Sequence, residues 1–451
     1  MALAVTRGAW CLALVRHFSY GGSPALKPEQ RNMDSSTAFY QPRYVMAKPA
    51  GALCNLACAY CYYLEKSKLY ATSKVRGNVM SDELLEHFTR EYIEMHPPGS
   101  PVLFTWHGGE PMMRPLSFYQ KAVAFQQKYA AGRMIDNSFQ TNGTLITDDW
   151  AAFFSRNHFL VGVSIDGPKE LHDAYRRSRG GKPSWVQVMR GIRLLNRHGV
   201  EWNAMAVVND YNAQYPLEFY RFFKEIGCRY IQFTPVVERF LPHADGRNLA
   251  SASETAGAQL TDFSVTPEAW GEFVCTLFDE WVCHDVAEFY VQLFDSTLAN
   301  WVGAAPSVCA LAETCGHAAA MEHNGDVFVC DHFVFPEYRL GNVYEQSLSQ
   351  MMQSDALRQF GLDKRDKLTS QCRRCPYLFA CHGECPRNRF ATSVDGEWGQ
   401  NYLCAGYRRY FEHVAPYMDF MKYQLQHQQA PARVMQWIAQ GRPPYRRSDG
   451  A

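Results

Sequence analysis

The sequence predicts an α/β protein: an open partial (β/α)6 barrel followed by a small cysteine-rich domain and a C-terminal helix. Three observations carry this. From residue 43 to about 235, short apolar runs alternate with longer amphipathic stretches, the pattern of parallel strands joined by crossover helices. These units number six, fewer than the eight that close a barrel, so the sheet is expected to stay open. Eight of the fifteen cysteines then fall between residues 308 and 410, amid short turns with little periodicity, the mark of a domain held by metal.

The expected strands are 44–48, 102–106, 137–141, 160–165, 203–208 and 230–234. A helical period is found between them at 81–94, 116–129, 148–156, 184–198 and 217–226. Residues 242–264 turn to Ala, Ser, Gly and Asp without apolar period and read as an insertion or linker. Residues 267–301 are helical and aromatic, and 415–439 reads as a covering helix. The organisation expected is an N-terminal extension (1–36), the barrel (37–240), a linker with helices (241–300), the cysteine-rich domain (301–412), and a helix and tail (413–451).

Charge and targeting narrow the class. Lys plus Arg and Asp plus Glu number 45 each, for a formal net charge of zero, so no global field draws the chain to nucleic acid or anionic lipid. No run reaches the roughly 18 apolar residues of a membrane span. Arg7 and the apolar stretch 9–15, broken by Arg16, loosely imitate a signal peptide, but the apolar part is short and no clear cleavage site follows. The segment to about Asn32 is therefore expected to be a disordered extension, with Met33 as the natural start. Fifteen cysteines on a chain of 451 residues, bunched at short spacings, argue against a secreted disulfide scaffold and for metal ligation in a reducing compartment, the cytoplasm.

The residues that look chemical fall after strands. Cys54, Cys58 and Cys61 give C-x3-C-x2-C on the loop after the first strand. Three thiolates can hold three irons of a [4Fe–4S] cube and leave the fourth open, whereas structural zinc takes four protein ligands. Residues 107–110 follow the second strand, 140–143 the third and 166–168 the fourth, which places them at the C-terminal mouth where barrels keep their active sites.

The stretch from Lys48 through Cys54, Cys58, Tyr60 and Cys61 to Tyr63 resembles the radical S-adenosylmethionine superfamily. That resemblance implies an open iron binding the cofactor's methionine moiety, with Tyr60 near the adenine. Trp106-His107-Gly108-Gly109-Glu110-Pro111 looks like the superfamily's GGE motif, whose Gly108, Gly109 and Glu110 would contact the methionine amino group. The segment 163–176 is similar to its carboxylate- and ribose-binding region, which assigns Ser164 and Arg176; a solvated arginine is the alternative for Arg176. Met205 matches an apolar position packed on the adenosyl part, and is otherwise a core methionine.

Further along, Cys315, Gly325 and Cys330, then C-x2-C-x5-C-x3-C from Cys372 through Cys375 and Cys381 to Cys385, and finally Cys404, follow the order of the SPASM domain of peptide-modifying radical enzymes. The resemblance implies Cys309, Cys315, Cys330 and Cys385 for a first auxiliary [4Fe–4S] cluster, and Cys372, Cys375, Cys381 and Cys404 for a second, making three clusters in all. Zinc sites are the alternative.

Within this class the sequence most closely resembles the anaerobic sulfatase-maturating enzymes, which convert a cysteine or serine to Cα-formylglycine. The resemblance implies Asp331 as the general base, with a merely structural carboxylate as the alternative, and a 5′-deoxyadenosyl radical that takes hydrogen from the substrate Cβ. The partner it implies is a sulfatase segment of the type Cys/Ser-x-Pro/Ala-x-Arg, and the electron donor a flavodoxin or ferredoxin. His107 departs from the glutamine of some relatives. The competing reading is a SPASM peptide maturase that crosslinks a small precursor.

Overall fold

The computed structural model describes residues 44–70, 79–243, 246–250 and 257–441. The expected N-terminal extension, Met33 and the end of the tail lie outside the described residues. β1 (Tyr44–Ala47), α1 (Asp82–Glu94), β2 (Val102–Trp106), α2 (Leu116–Tyr129), β3 (Ile135–Thr141), α3 (Asp148–Arg156), β4 (Leu160–Ser164), α4 (Lys169–Tyr175), α5 (Trp185–Arg197), β5 (Trp202–Val208), α6 (Pro216–Glu225) and β6 (Tyr230–Pro235) follow in chain order. The six strands are parallel and neighbour one another in sequence order. Capping marks the helix starts the period predicted: Ser81 Oγ accepts from Leu84 N–H and Thr147 Oγ1 from Trp150 N–H. The short α4 was not foreseen, because seven residues hold too little period to detect.

The expected linker contains structure. β7 (Arg239–His243), β8 (Gly246–Leu249) and β9 (Gln259–Leu260) form a small antiparallel sheet of order β8-β7-β9. Its Gly- and Asn-bearing strands lack alternation, which hid them from pattern reading. The aromatic stretch forms α7 (Pro267–His284), then β10 (Tyr290–Val291) and α8 (Gln292–Val302).

The cysteine-rich part is not separate from the barrel sheet. β11 (Ala318–Met321) pairs parallel with β1, Tyr44 opposite Ala318 and Ala47 opposite Met321, and β12 (Asp326–Phe328) and β13 (Arg339–Asn342) continue antiparallel. With β10 on the far side of β6, the sheet runs β10-β6-β5-β4-β3-β2-β1-β11-β12-β13 and stays open. This joint delivers the residues that follow β12 to the barrel mouth.

The remaining helices include α9 (Leu348–Met352), α10 (Asp355–Asp366), α11 (Ser370–Arg373), α12 (Leu378–Cys381), α13 (Cys404–Gln426) and α14 (Arg433–Ala439), with a hairpin β14 (Ala391–Thr392) and β15 (Trp398–Gln400) before α13. The covering helix thus starts at Cys404, well before the expected 415, and runs through Pro416. It crosses α7 closely: a Cβ on Gly406 would lie 2.2 Å from the Pro267 carbonyl oxygen, so only glycine fits there, and that crossing positions Cys404 two residues earlier. No helix among the described residues is long and apolar enough to cross a membrane.

Candidate active site

Cys54, Cys58 and Cys61 lie on the loop after β1, all part-buried. Burial pushes the Cys54 thiol up to about 11 and Cys58 up to about 12, and the nearby Cys61 adds to both. The three sulfurs therefore share one environment. Backbone bonds clamp their loop from two sides. Gly109 N–H donates to the Gly51 carbonyl and Glu110 N–H to that of Leu53, each at 2.7 Å, while Ala57 N–H reaches Arg177 O at 2.8 Å and Ala59 N–H reaches Tyr175 O at 3.1 Å. A Cβ on Gly109 would lie 2.3 Å from Leu53 O, and Gly108 has φ +137°, so the Gly-Gly pair is a steric requirement of the cysteine loop.

Glu110 is fully buried. Its Oε1 accepts from Thr141 Oγ1 at 2.8 Å and Met112 N–H at 3.0 Å, and its Oε2 from Asn142 N–H at 2.7 Å. Burial still raises it to about 7 against those donors. Its carboxylate ties the loop after β2 to the end of β3.

Across the mouth, Arg176 Nε donates to Asp166 Oδ2 at 2.9 Å, Val207 N–H donates to Asp166 Oδ1 at 3.0 Å, and Tyr60 donates its hydroxyl to Asp166 Oδ2. The Arg176 guanidinium lies 5.6 Å from the centre of the Tyr60 ring. Asp166 thus joins two residues singled out in the sequence, although it was not itself assigned a role; its place directly beyond β4 was the available signal. Ser164 Oγ accepts from Gln140 Nε2 at 3.1 Å and sits opposite Met205 in register. A Cβ on Gly162 would meet both Gln140 Oε1 and Met205 Sδ, so these side chains converge over Gly162.

Asp331 opens the turn after Cys330 and is 1% exposed. Lys48, wholly buried at the end of β1, donates to its Oδ1, and Tyr62, next to Cys61, donates to its Oδ2. Burial alone would raise the Asp331 pKa, but Lys48, His107 and His332 outweigh it and hold the carboxyl well below the usual range. Burial lowers both histidines, His107 to about 4, so at neutral pH they are uncharged and Lys48 carries the effect. His332 stacks on Tyr62 with centroids 4.8 Å apart, and Arg387 binds His332 Nδ1 at 2.9 Å and pairs with Glu238. Lys48, Arg387 and Glu238 were missed by sequence reasoning, since buried ion pairs between distant segments leave no local pattern.

The other eight cysteines fall into two sets. Burial drives up the Cys330 thiol, and Cys309, Cys385 and Cys315 add to it; burial pushes Cys385 up to about 12, with Glu384, Cys315 and Cys309 adding. Lys364, 1% exposed, fastens the Cys309 turn by donating to the carbonyls of Cys309 and Ala310, each at 2.8 Å, and Ala312. In the second set, burial raises Cys381 to about 12, with Glu384, Cys404 and Cys372 adding, and burial raises Cys404, with Cys372 and Cys375 adding to it. Cys372, Cys375, Cys381 and Cys404 line a cavity of about 280 Å³. Among the described residues, no three Cys, His, Asp or Glu side chains converge on one ion-sized point. Ligands of a zinc ion must meet about 2.3 Å from a single centre, whereas thiolates surround a cuboidal cluster from outside. A ring of four thiols about a cavity of this size fits the cluster.

Comparison with known proteins bears on the same residues. The model of the radical SAM superfamily matches residues 50–223, and that of an iron–sulfur cluster-binding domain, SPASM, matches 313–376. A serine-type anaerobic sulfatase-maturating enzyme of Bacteroides thetaiotaomicron is 62% identical over 403 residues, 89% of this chain and 97% of that protein. A cysteine-type enzyme of Clostridium perfringens is 30% identical, covering 83% and 97%. The solved structure of native anSMEcpe with bound AdoMet superposes with a TM-score of 0.74 at 30% identity, covering 85% of this chain and 99% of that one.

Proposed function

The chain belongs to the anaerobic sulfatase-maturating enzymes, and on that premise we propose how its residues divide the work. It is a radical S-adenosylmethionine enzyme that oxidises a cysteine or serine of a sulfatase to formylglycine, with S-adenosylmethionine and iron–sulfur clusters as cofactors. Cys54, Cys58 and Cys61 would hold the cluster that binds the cofactor. Cys309, Cys315, Cys330 and Cys385 would hold the first auxiliary cluster, and Cys372, Cys375, Cys381 and Cys404 the second, giving three [4Fe–4S] clusters and about twelve irons. The two sets of mutually interacting thiols support that division.

When bound, the cofactor and its cluster would supply the radical chemistry that removes hydrogen from the substrate Cβ, and the auxiliary clusters would supply an electron acceptor. The chain's own groups do the rest. Gly108, Gly109 and Glu110 receive the methionine amino end, Ser164 and Arg176 its carboxylate and the ribose, and Tyr60 and Met205 flank the adenosyl part. Asp331 accepts the proton of the substrate hydroxyl or thiol, a step that a positioned base speeds by roughly a hundred- to ten-thousand-fold. The single observation that carries this assignment is its position: a buried, ionised carboxylate bridging Tyr62 of the first cysteine loop and Lys48, one residue from Cys330.

Serine is the proposed preferred target, since the relative at 62% identity is serine-type and cysteine-type relatives stand at 30–31%. The substrate segment is of the Ser/Cys-x-Pro/Ala-x-Arg type, the electron donor a flavodoxin or ferredoxin, and the compartment the cytoplasm. The test is anaerobic turnover of paired peptides differing only in Ser or Cys at the target, read by mass spectrometry. Loss of two hydrogens at serine, faster than conversion of cysteine, is expected. Cofactor cleavage without formylglycine from either peptide would overturn the assignment.

A further inference from the structure

Gln400 ends β15 and is 4% exposed. Its Oε1 accepts the Thr369 hydroxyl at 2.5 Å and the Cys372 thiol at 3.4 Å. Thr369 Oγ1 itself accepts from Cys372 N–H at 3.3 Å as the cap of α11, so its proton is directed at Gln400. The amide is thereby oriented, oxygen toward Thr369 and Nε2 away from it. That Nε2 is buried and makes no hydrogen bond of acceptable geometry. It is not aimed at nothing: Gln400 lines the 280 Å³ cavity together with Cys372, Cys375, Cys381 and Cys404.

A buried N–H donor without a partner is costly because it gives up its hydrogen bonds to water for nothing, so its retention calls for an acceptor that arrives with a ligand. Sulfide and thiolate sulfurs of an iron–sulfur cluster are such acceptors, and hydrogen bonds to them favour the reduced, more negative state. A neighbouring donor, Gln371 Nε2, lies 3.9 Å from Cys404 Sγ, but Gln371 is only half-buried and its oxygen is taken by Val394 N–H at 2.8 Å.

We propose that Gln400 is a positioning residue of the second auxiliary cluster, donating its side-chain N–H to a cluster or Cys404 sulfur and raising that cluster's reduction potential. This makes the second cluster a better electron acceptor than it would be without that donor. The inference rests on the assignment of the four cysteines to one cluster.

The experiment uses the full chain with Cys54, Cys58 and Cys61 replaced by alanine, so that only auxiliary clusters contribute, with and without Gln400→Met. Methionine keeps the length and apolar contacts and removes the donor. Redox titration followed by EPR should show one of two midpoint potentials lowered and the other unchanged, at equal iron and sulfide content. In a Gln371→Leu background with glutamine side chains labelled with 15N, ENDOR of the reduced second cluster should show a nitrogen coupling. This second measurement decides the matter if Gln400→Met loses iron. Two unchanged potentials at full iron content, or no 15N coupling in the labelled protein, would overturn the role of Gln400. An iron count of about four instead of eight in the triple-alanine chain would overturn the cluster assignment beneath it.

Discussion

Lys48→Met tests the centre of the site most directly. It removes one charge from a pair in which neither side chain is more than 1% exposed. Breaking a buried pair by deleting one partner costs about 3–5 kcal/mol, because the other charge is left uncompensated. Lys48 also lies 3.4 Å from the centre of the Tyr63 ring, so part of the loss is a desolvated cation–π contact. Function should fail for a separate reason. With Lys48 gone, Asp331 loses the strongest of the charges that offset its burial, and the two histidines beside it are neutral at pH 7, so its pKa rises and the carboxyl takes up a proton more readily. An acid whose pKa is raised is ionised only above its new value. Formylglycine formation should thus be depressed at neutral pH and recover in part as pH rises, while cofactor cleavage persists. Lys48→Met with Asp331→Asn removes both charges and should be more stable than Lys48→Met alone. Thermal midpoints of the reconstituted proteins and product yields across pH give the readout. A Lys48→Met enzyme as stable as wild type, with an unaltered pH profile, would refute the reasoning.

Three other outcomes follow from the same geometry. Asp331→Asn keeps the shape and should retain clusters and cofactor cleavage while formylglycine falls roughly a hundred- to ten-thousand-fold; a wild-type yield by mass spectrometry would move the base elsewhere, with His107, Tyr62 and Tyr63 next to examine. Gly109→Ala places a Cβ 2.3 Å from Leu53 O, so the cysteine loop must move; cofactor cleavage should be lost while about eight irons of the auxiliary clusters remain, and full cleavage would contradict the clamp. Asp295 is pushed by burial from 3.8 to about 8, and its Oδ2 has no partner. It is neutral when folded and ionises when unfolded, so its contribution to stability is complete below about pH 4 and is lost as pH rises to about 8, at up to roughly 1.4 kcal/mol per unit. Asp295→Asn should flatten that slope in urea midpoints measured across pH, and an equal slope would show that the carboxyl ionises freely.

Much of the barrel was legible because parallel strands buried on both faces are short apolar runs, and residues 102–106 coincide with β2 without adjustment. The cysteine loop was legible for a different reason: ligand spacing is local, so C-x3-C-x2-C is visible without knowing the fold. What escaped was everything set by distant partners. β11 reads Ala-Ala-Ala-Met, four residues with no strand signal, yet its pairing with β1 brings the turn after β12 to the barrel mouth. Asp331 could be named from the family resemblance together with its place beside Cys330, but its state could not, because Lys48 stands 283 residues away. The same holds for Arg176, whose partner Asp166 was in plain view beyond β4 without any local reason to pair them. A sequence therefore announces its ligands, which chemistry spaces tightly, more readily than the buried charges that set their environment. Those charges are where substitutions should separate radical formation from substrate oxidation, since Lys48, Asp331 and Tyr62 lie between the cysteine loop and Cys330 and belong to neither set of thiols.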